Sequence, residues 1–146
     1  MKKIMRTLCI ILALSVVLAM PAYAESTVEP RGSIFFASYG TDLYKASSTS
    51  FEVWFDVDSN AAMMDVLGVS EIIIYQSANQ QSWTEVGRYD MDDYPEMTDT
   101  YAYTHVGYVT YYNAIPGYYY TAYVCFYATD YRGVGERDLY TEIIRM

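Results

Sequence analysis

From residue 51 the chain alternates. Phe51, Val53, Phe55 and Val57 share one parity and Glu52, Trp54 and Asp56 the other, the period-two pattern of a half-buried strand over Ser50–Val57. Trp54 is then either outward or covered by a loop. The longest such run is Tyr118–Ala128, where Tyr120, Ala122, Val124, Phe126 and Ala128 oppose Tyr119, Thr121, Tyr123, Cys125 and Tyr127. Pro116-Gly117 cannot lie inside a central ladder, so the run begins after that turn. Val69–Ser77, with Ile72, Ile73, Ile74 and Tyr75, and Ser82–Tyr89 are separated by Ala-Asn-Gln-Gln and read as a hairpin. Ser33–Ser38, Tyr101–Tyr112 and Asp138–Arg145 supply three more strands. Between them, Tyr39–Ser50 and Asp90–Thr100 are polar enough to be loops. Asp58-Ser59-Asn60 followed by good helix formers predicts a short helical turn near Ala61–Leu67, with Gly68 where a C-cap would stand. About seven short strands separated by turn signals predict an all-β antiparallel sandwich.

The first 24 residues carry a different pattern. Lys2, Lys3 and Arg6 precede an apolar run from Leu8 to Met20, and Ala22-Tyr23-Ala24 follows, which is the layout of a secretory signal peptide cleaved after Ala24. The run is short for a bilayer span, so the expectation is a released, extracellular product with no stable membrane insertion after cleavage. Residues 25–32 read as a flexible lead-in and residues 33–146 as one domain. Three of the nine basic residues lie in the leader and all eighteen acidic ones lie after it, so six basic against eighteen acidic leaves a formal charge of −12. Nucleic acid is excluded as a partner on that ground. Cys125 is the one cysteine beyond the leader, so the domain must be held by its core rather than by a disulfide.

Several stretches resemble a fibronectin type III or immunoglobulin-like sandwich. Pro116-Gly117-x-x-Tyr120, with Val124 and Phe126 at the same parity, is similar to the corner tyrosine and inward strand of that fold. Ile72-x-Ile74-x-Gln76-Ser77, then Asn79 and Ser82-Trp83-Thr84, resembles its third strand and the hairpin that follows. A signal peptide plus one such domain also resembles small secreted proteins of Gram-positive bacteria. That resemblance implies a fold and a compartment, not an activity.

The chemistry is sparse. His105 is the single histidine, in the middle of a predicted strand, and no G-x-S-x-G elbow or P-loop accompanies it, so the expectation is a non-enzymatic protein without a cofactor. Asp90, Asp92, Asp93, Glu96 and Asp99 crowd one segment, and hard oxygen ligands of that kind are what calcium takes. The spacing departs from an EF-hand: Pro95 stands where the glycine belongs and Tyr101 where the bidentate glutamate belongs. The more distinctive feature is the tyrosine content, 18 in the chain. With Ile72, Ile74, Val124 and Phe126 inward, Tyr75, Tyr119, Tyr123 and Tyr127 share one outer face, a candidate surface for a glycan or a protein partner. The function expected is a secreted interaction or binding domain. A calcium-stabilised carbohydrate-binding module and a self-assembling envelope or matrix component are the alternatives.

Overall fold

The computed structural model describes residues 33–146, and the expected leader and lead-in lie outside the described residues. Nine strands follow in order: β1 (Phe36–Lys45), β2 (Phe51–Ser59), β3 (Met64–Ser77), β4 (Thr84–Asp90), β5 (Thr98–Ala102), β6 (Thr104–Tyr111), β7 (Tyr119–Asp130), β8 (Gly133–Tyr140) and β9 (Ile144–Arg145). One sheet has the order β1-β2-β6. The other has the order β4-β3-β7-β8, with β5 added to β3 and β9 to β7. Every pairing is antiparallel. The chain crosses between sheets after β2, after β5 and again after β6. This is an all-β antiparallel sandwich, consistent with the immunoglobulin-like, fibronectin type III-like architecture expected, with two short strands beyond the seven.

The core forms where the two alternating patterns meet. Phe51, Val53, Phe55 and Val57 of β2 are buried, and so are Ile72 and Ile74 of β3 and Tyr120, Ala122, Val124, Phe126 and Ala128 of β7. Fully burying a side chain of this size contributes about 1.5–3 kcal/mol. Tyr120 sits at the end of that row, with its ring 5.1 Å from Phe51 and 6.1 Å from Tyr111. Its hydroxyl accepts the Ile115 N–H at 2.7 Å, tying the Pro116-Gly117 turn to the core. That is the corner role expected for it.

β3 changes its inward parity at a point that unbroken alternation cannot provide. Leu67 and Val69 point inward on odd positions, Ile72 and Ile74 on even ones. The switch occurs at Ser70, where a bulge lets Val69 pair with Phe126 and Glu71 with Cys125. The Ser70 hydroxyl donates to the Cys125 carbonyl at 3.3 Å across the irregularity.

Three expected elements are corrected. No helical turn occupies Ala61–Leu67: the chain turns at Asn60–Met63, with Ala61 at φ 59°, and β3 starts at Met64. Met64 and Leu67 are fully buried, and strand pairing with β5 and β7 satisfies the backbone there. Gly68 is not a cap. A Cβ on it would run into the Met97 carbonyl and Thr98 Cα, so the glycine admits the backbone that leads into β5. Tyr39–Lys45 is not a loop but most of β1, a sheet-edge strand that buries Phe36 in the core and packs Tyr39 and Leu43 against it. Asp90–Thr100 is likewise no long loop. It holds a turn, a 3-10 turn at Pro95–Met97 and the start of β5.

Candidate functional site

Odd-numbered residues of β7 face away from the core, and the register lines them up in rows with their neighbours. Tyr119 pairs with Ser77 and Arg145, Thr121 with Tyr75, Tyr123 with Ile73 and Tyr140, Cys125 with Glu71 and Asp138, and Tyr127 with Gly68 and Glu136. Tyr75, Tyr119, Tyr123 and Tyr127 therefore do share one outer face, each half-buried by its neighbours. Only part of the set converges. Tyr140 stands 5.4 Å from Tyr123, edge to face, and 6.4 Å from Tyr75.

Beside that trio lies a hollow of about 460 Å³ lined by Tyr75, Trp83, Thr121, Tyr140, Thr141 and Ile143. Its floor is fixed by threonine. The Thr121 hydroxyl donates to the Thr141 carbonyl at 3.0 Å, and the Ala122 N–H donates to the Thr141 hydroxyl at 2.9 Å. Of the four expected tyrosines only Tyr75 lines the hollow; Tyr119, Tyr123 and Tyr127 do not. Arg145 lies over the Tyr119 ring at 5.5 Å, a cation–π contact that occupies it.

Charge rims the face. Arg88 of β4 bonds Glu85 and also pairs with Glu71, and these carboxylates hold its pKa above the ordinary value, the Glu85 hydrogen bond first. Glu85 is correspondingly lowered by Arg88. Burial raises the phenol of Tyr123 and the thiol of Cys125 beside it, so Cys125 is no ready thiolate.

Sequence reasoning missed Tyr140 and Trp83. The row of Tyr140 depends on the β7–β8 pairing, which alternation along one strand does not encode, and Trp83 lies in the connection just before β4 rather than in a strand. It also missed a second aromatic cluster on the other sheet. Trp54 is outward and stacks on Tyr108 of β6, 4.9 Å apart at 21°, with the Tyr44 edge 6.2 Å away. The Trp54 Nε1–H donates to Glu52 at 2.7 Å.

The acidic segment is spread over three elements. Asp90 ends β4, Asp92 and Asp93 lie in the turn, Glu96 in the 3-10 turn and Asp99 in β5. Asp90 Oδ1 accepts the N–H groups of Asp92 and Asp93, both at 3.0 Å, and Asp99 accepts the N–H of Thr100 at 2.7 Å. Among the described residues no three His, Cys, Asp or Glu side chains are grouped to hold a metal ion. His105 is half-buried, its Nε2 3.2 Å from the Glu96 carbonyl and its ring 5.7 Å from Phe55.

The fold and this face together define a small all-β sandwich domain with an aromatic outer surface. No protein-family model matches the chain, and no curated protein matches it.

Proposed function

We propose that this chain is a secreted, non-enzymatic binding domain that takes a glycan on the outer face of the β4-β3-β7-β8 sheet. The hollow between Tyr75, Trp83 and Tyr140 carries the reading. Its volume falls within the range of small-ligand sites, about 300–1,000 Å³. Aromatic rings offer apolar faces to the C–H side of a sugar ring, while the hydroxyls of Tyr75 and Tyr140 offer hydrogen-bond partners to its hydroxyls. The surrounding acids favour a neutral sugar over an anionic one. Support for a binding role rather than catalysis comes from His105, whose ring is engaged with Glu96 and Phe55 instead of facing the hollow.

The test is a fluorescence titration with neutral oligosaccharides of the cello-, xylo-, malto- and chito- series, in a Trp54→Phe background so that Trp83 alone reports. At least one series should shift the emission, and Tyr140→Ala should weaken that binding about tenfold. No response from any series, in a variant that stays folded, would remove the glycan reading. If sedimentation then showed association that Tyr140→Ala abolishes, the face would be a seam between copies.

A further inference from the structure

We propose that the edge of β6, unpaired among the described residues, accepts an extended basic peptide as an added strand. A sheet edge presents unpaired N–H and C=O groups, and proteins ordinarily blunt such edges with charge, proline or bulges. Three of the four edges here are blunted. β1 carries Asp42, Lys45 and a register shift at Phe36–Ser38, β4 carries Glu85, Arg88 and Asp90 with a shift opposite Ile74–Tyr75, and β8 carries Glu136, Arg137 and Asp138. β6 is different. Its eight residues, Thr-His-Val-Gly-Tyr-Val-Thr-Tyr, contain no Lys, Arg, Asp, Glu or Pro, and its pairing with β2 is regular throughout.

One hydrogen bond shows which backbone groups face the open side. The Tyr89 hydroxyl, from the neighbouring sheet, donates to the Thr110 carbonyl at 3.1 Å. In an antiparallel strand both main-chain groups of a residue point the same way, and every second residue repeats that direction. Val106 and Tyr108 therefore present their N–H and C=O groups outward, while the Thr110 carbonyl at the end of the edge is already taken by Tyr89. Alongside runs a hollow of about 840 Å³, lined by the edge itself and by Trp54, Tyr89, Tyr94, Glu96 and Tyr112.

Charge selects the occupant. The outer face of the β1-β2-β6 sheet carries Asp42, Glu52, Asp56 and Asp58 beside Trp54 and Tyr108, and no Lys or Arg shares those alternate positions. Asp58 is held in its charged form by the Ser38 hydroxyl, which lowers its pKa. Glu96 is the one carboxylate that lines the hollow itself. A second copy pairing edge to edge would bring two such acidic faces together, and an acidic segment would be repelled in the same way. A strand with Lys or Arg at alternate positions meets carboxylates and the exposed aromatic rings instead, while its backbone completes the ladder. This site is on the opposite sheet from the proposed glycan hollow and does not depend on it.

The test uses fluorescein-labelled peptides of about eight residues, alternating Thr and Lys, against the full domain, read by anisotropy at low and at physiological salt. The Thr-Lys peptide should bind, more weakly as salt rises. A Thr-Glu peptide, and a Thr-Lys peptide N-methylated at alternate residues, should not. Val106→Pro removes one outward N–H while sparing the β2 ladder, and Val106→Lys places a base on the edge. Each should weaken binding about tenfold, with the circular dichroism spectrum of the wild type confirming that both variants fold. No binding of the Thr-Lys peptide would overturn the proposal, as would equal binding of its N-methylated form, which would mean charge attraction without an added strand. A dimer that Val106→Pro dissociates would give the edge to a second copy and overturn it too.

Discussion

Replacing Tyr120 by Phe removes one oxygen from the largest fully buried side chain of the core and leaves the ring in place. The contacts to Phe51 and Tyr111, at 5.1 and 6.1 Å, survive, so the loss is confined to the bond that the hydroxyl makes with the Ile115 N–H. A hydrogen bond of this kind contributes about 0.5–1.5 kcal/mol net, and more if its partner is left dry. Ile115 is 46% exposed, so water can reach the freed N–H and the lower range applies, about 1 kcal/mol. Tyr120→Ala removes the ring as well and should cost about 3–5 kcal/mol, as large aromatic truncations do. Urea unfolding followed by fluorescence measures both, with a slope of about 1–3 kcal/mol/M, so the Phe variant should move the midpoint down by roughly 0.3–1 M. An unchanged midpoint would refute the corner bond. A Phe variant as damaged as the Ala variant would refute the confinement of the effect to one hydroxyl.

Gly68→Ala should destabilise by about 1–3 kcal/mol in the same assay, because the added methyl meets the Met97 carbonyl and Thr98 Cα rather than a side chain that can move. A neutral result would mean that β5 is not pressed on β3. Alkaline pH should also destabilise. Burial pushes the Tyr89 phenol up to about 12 and raises those of Tyr111, Tyr120 and Tyr123. Since the folded state holds these protons longer than the unfolded chain, stability is full below pH about 10 and falls as pH rises toward the folded values. Melting temperature against pH checks this, and Tyr89→Phe should flatten the alkaline fall. Millimolar calcium and chelator should leave the melting temperature unchanged, because Asp90 Oδ1 is engaged by the N–H groups of Asp92 and Asp93 and no three carboxylates are grouped among the described residues. A rise with calcium would show that the segment rearranges around an ion.

Alternation alone determined the strands that are buried on at least one face. Phe51 to Val57 and Tyr120 to Ala128 are legible because burial demands a two-residue period, and the turn before Tyr120 is legible because proline and glycine restrict the backbone there. The same pattern placed Tyr75, Tyr119, Tyr123 and Tyr127 on one outer face. It could not say which of them meet. Tyr140 joins Tyr75 at the hollow only through strand pairing, and Trp83 only through the course of the β3–β4 connection, both set by the tertiary fold rather than by alternation. Polar β1 gave little hydrophobic signal, since an edge strand packs few side chains on the core. Met64–Gly68 carried good helix formers, yet burial of Met64 and Leu67 between the sheets outweighs intrinsic preference that differs by less than about 1 kcal/mol per residue. Local sequence thus determined which segments are strands wherever one face needed burial, while the neighbours of each strand, and with them both aromatic clusters and the open edge of β6, were decided by how the two sheets close over a shared core.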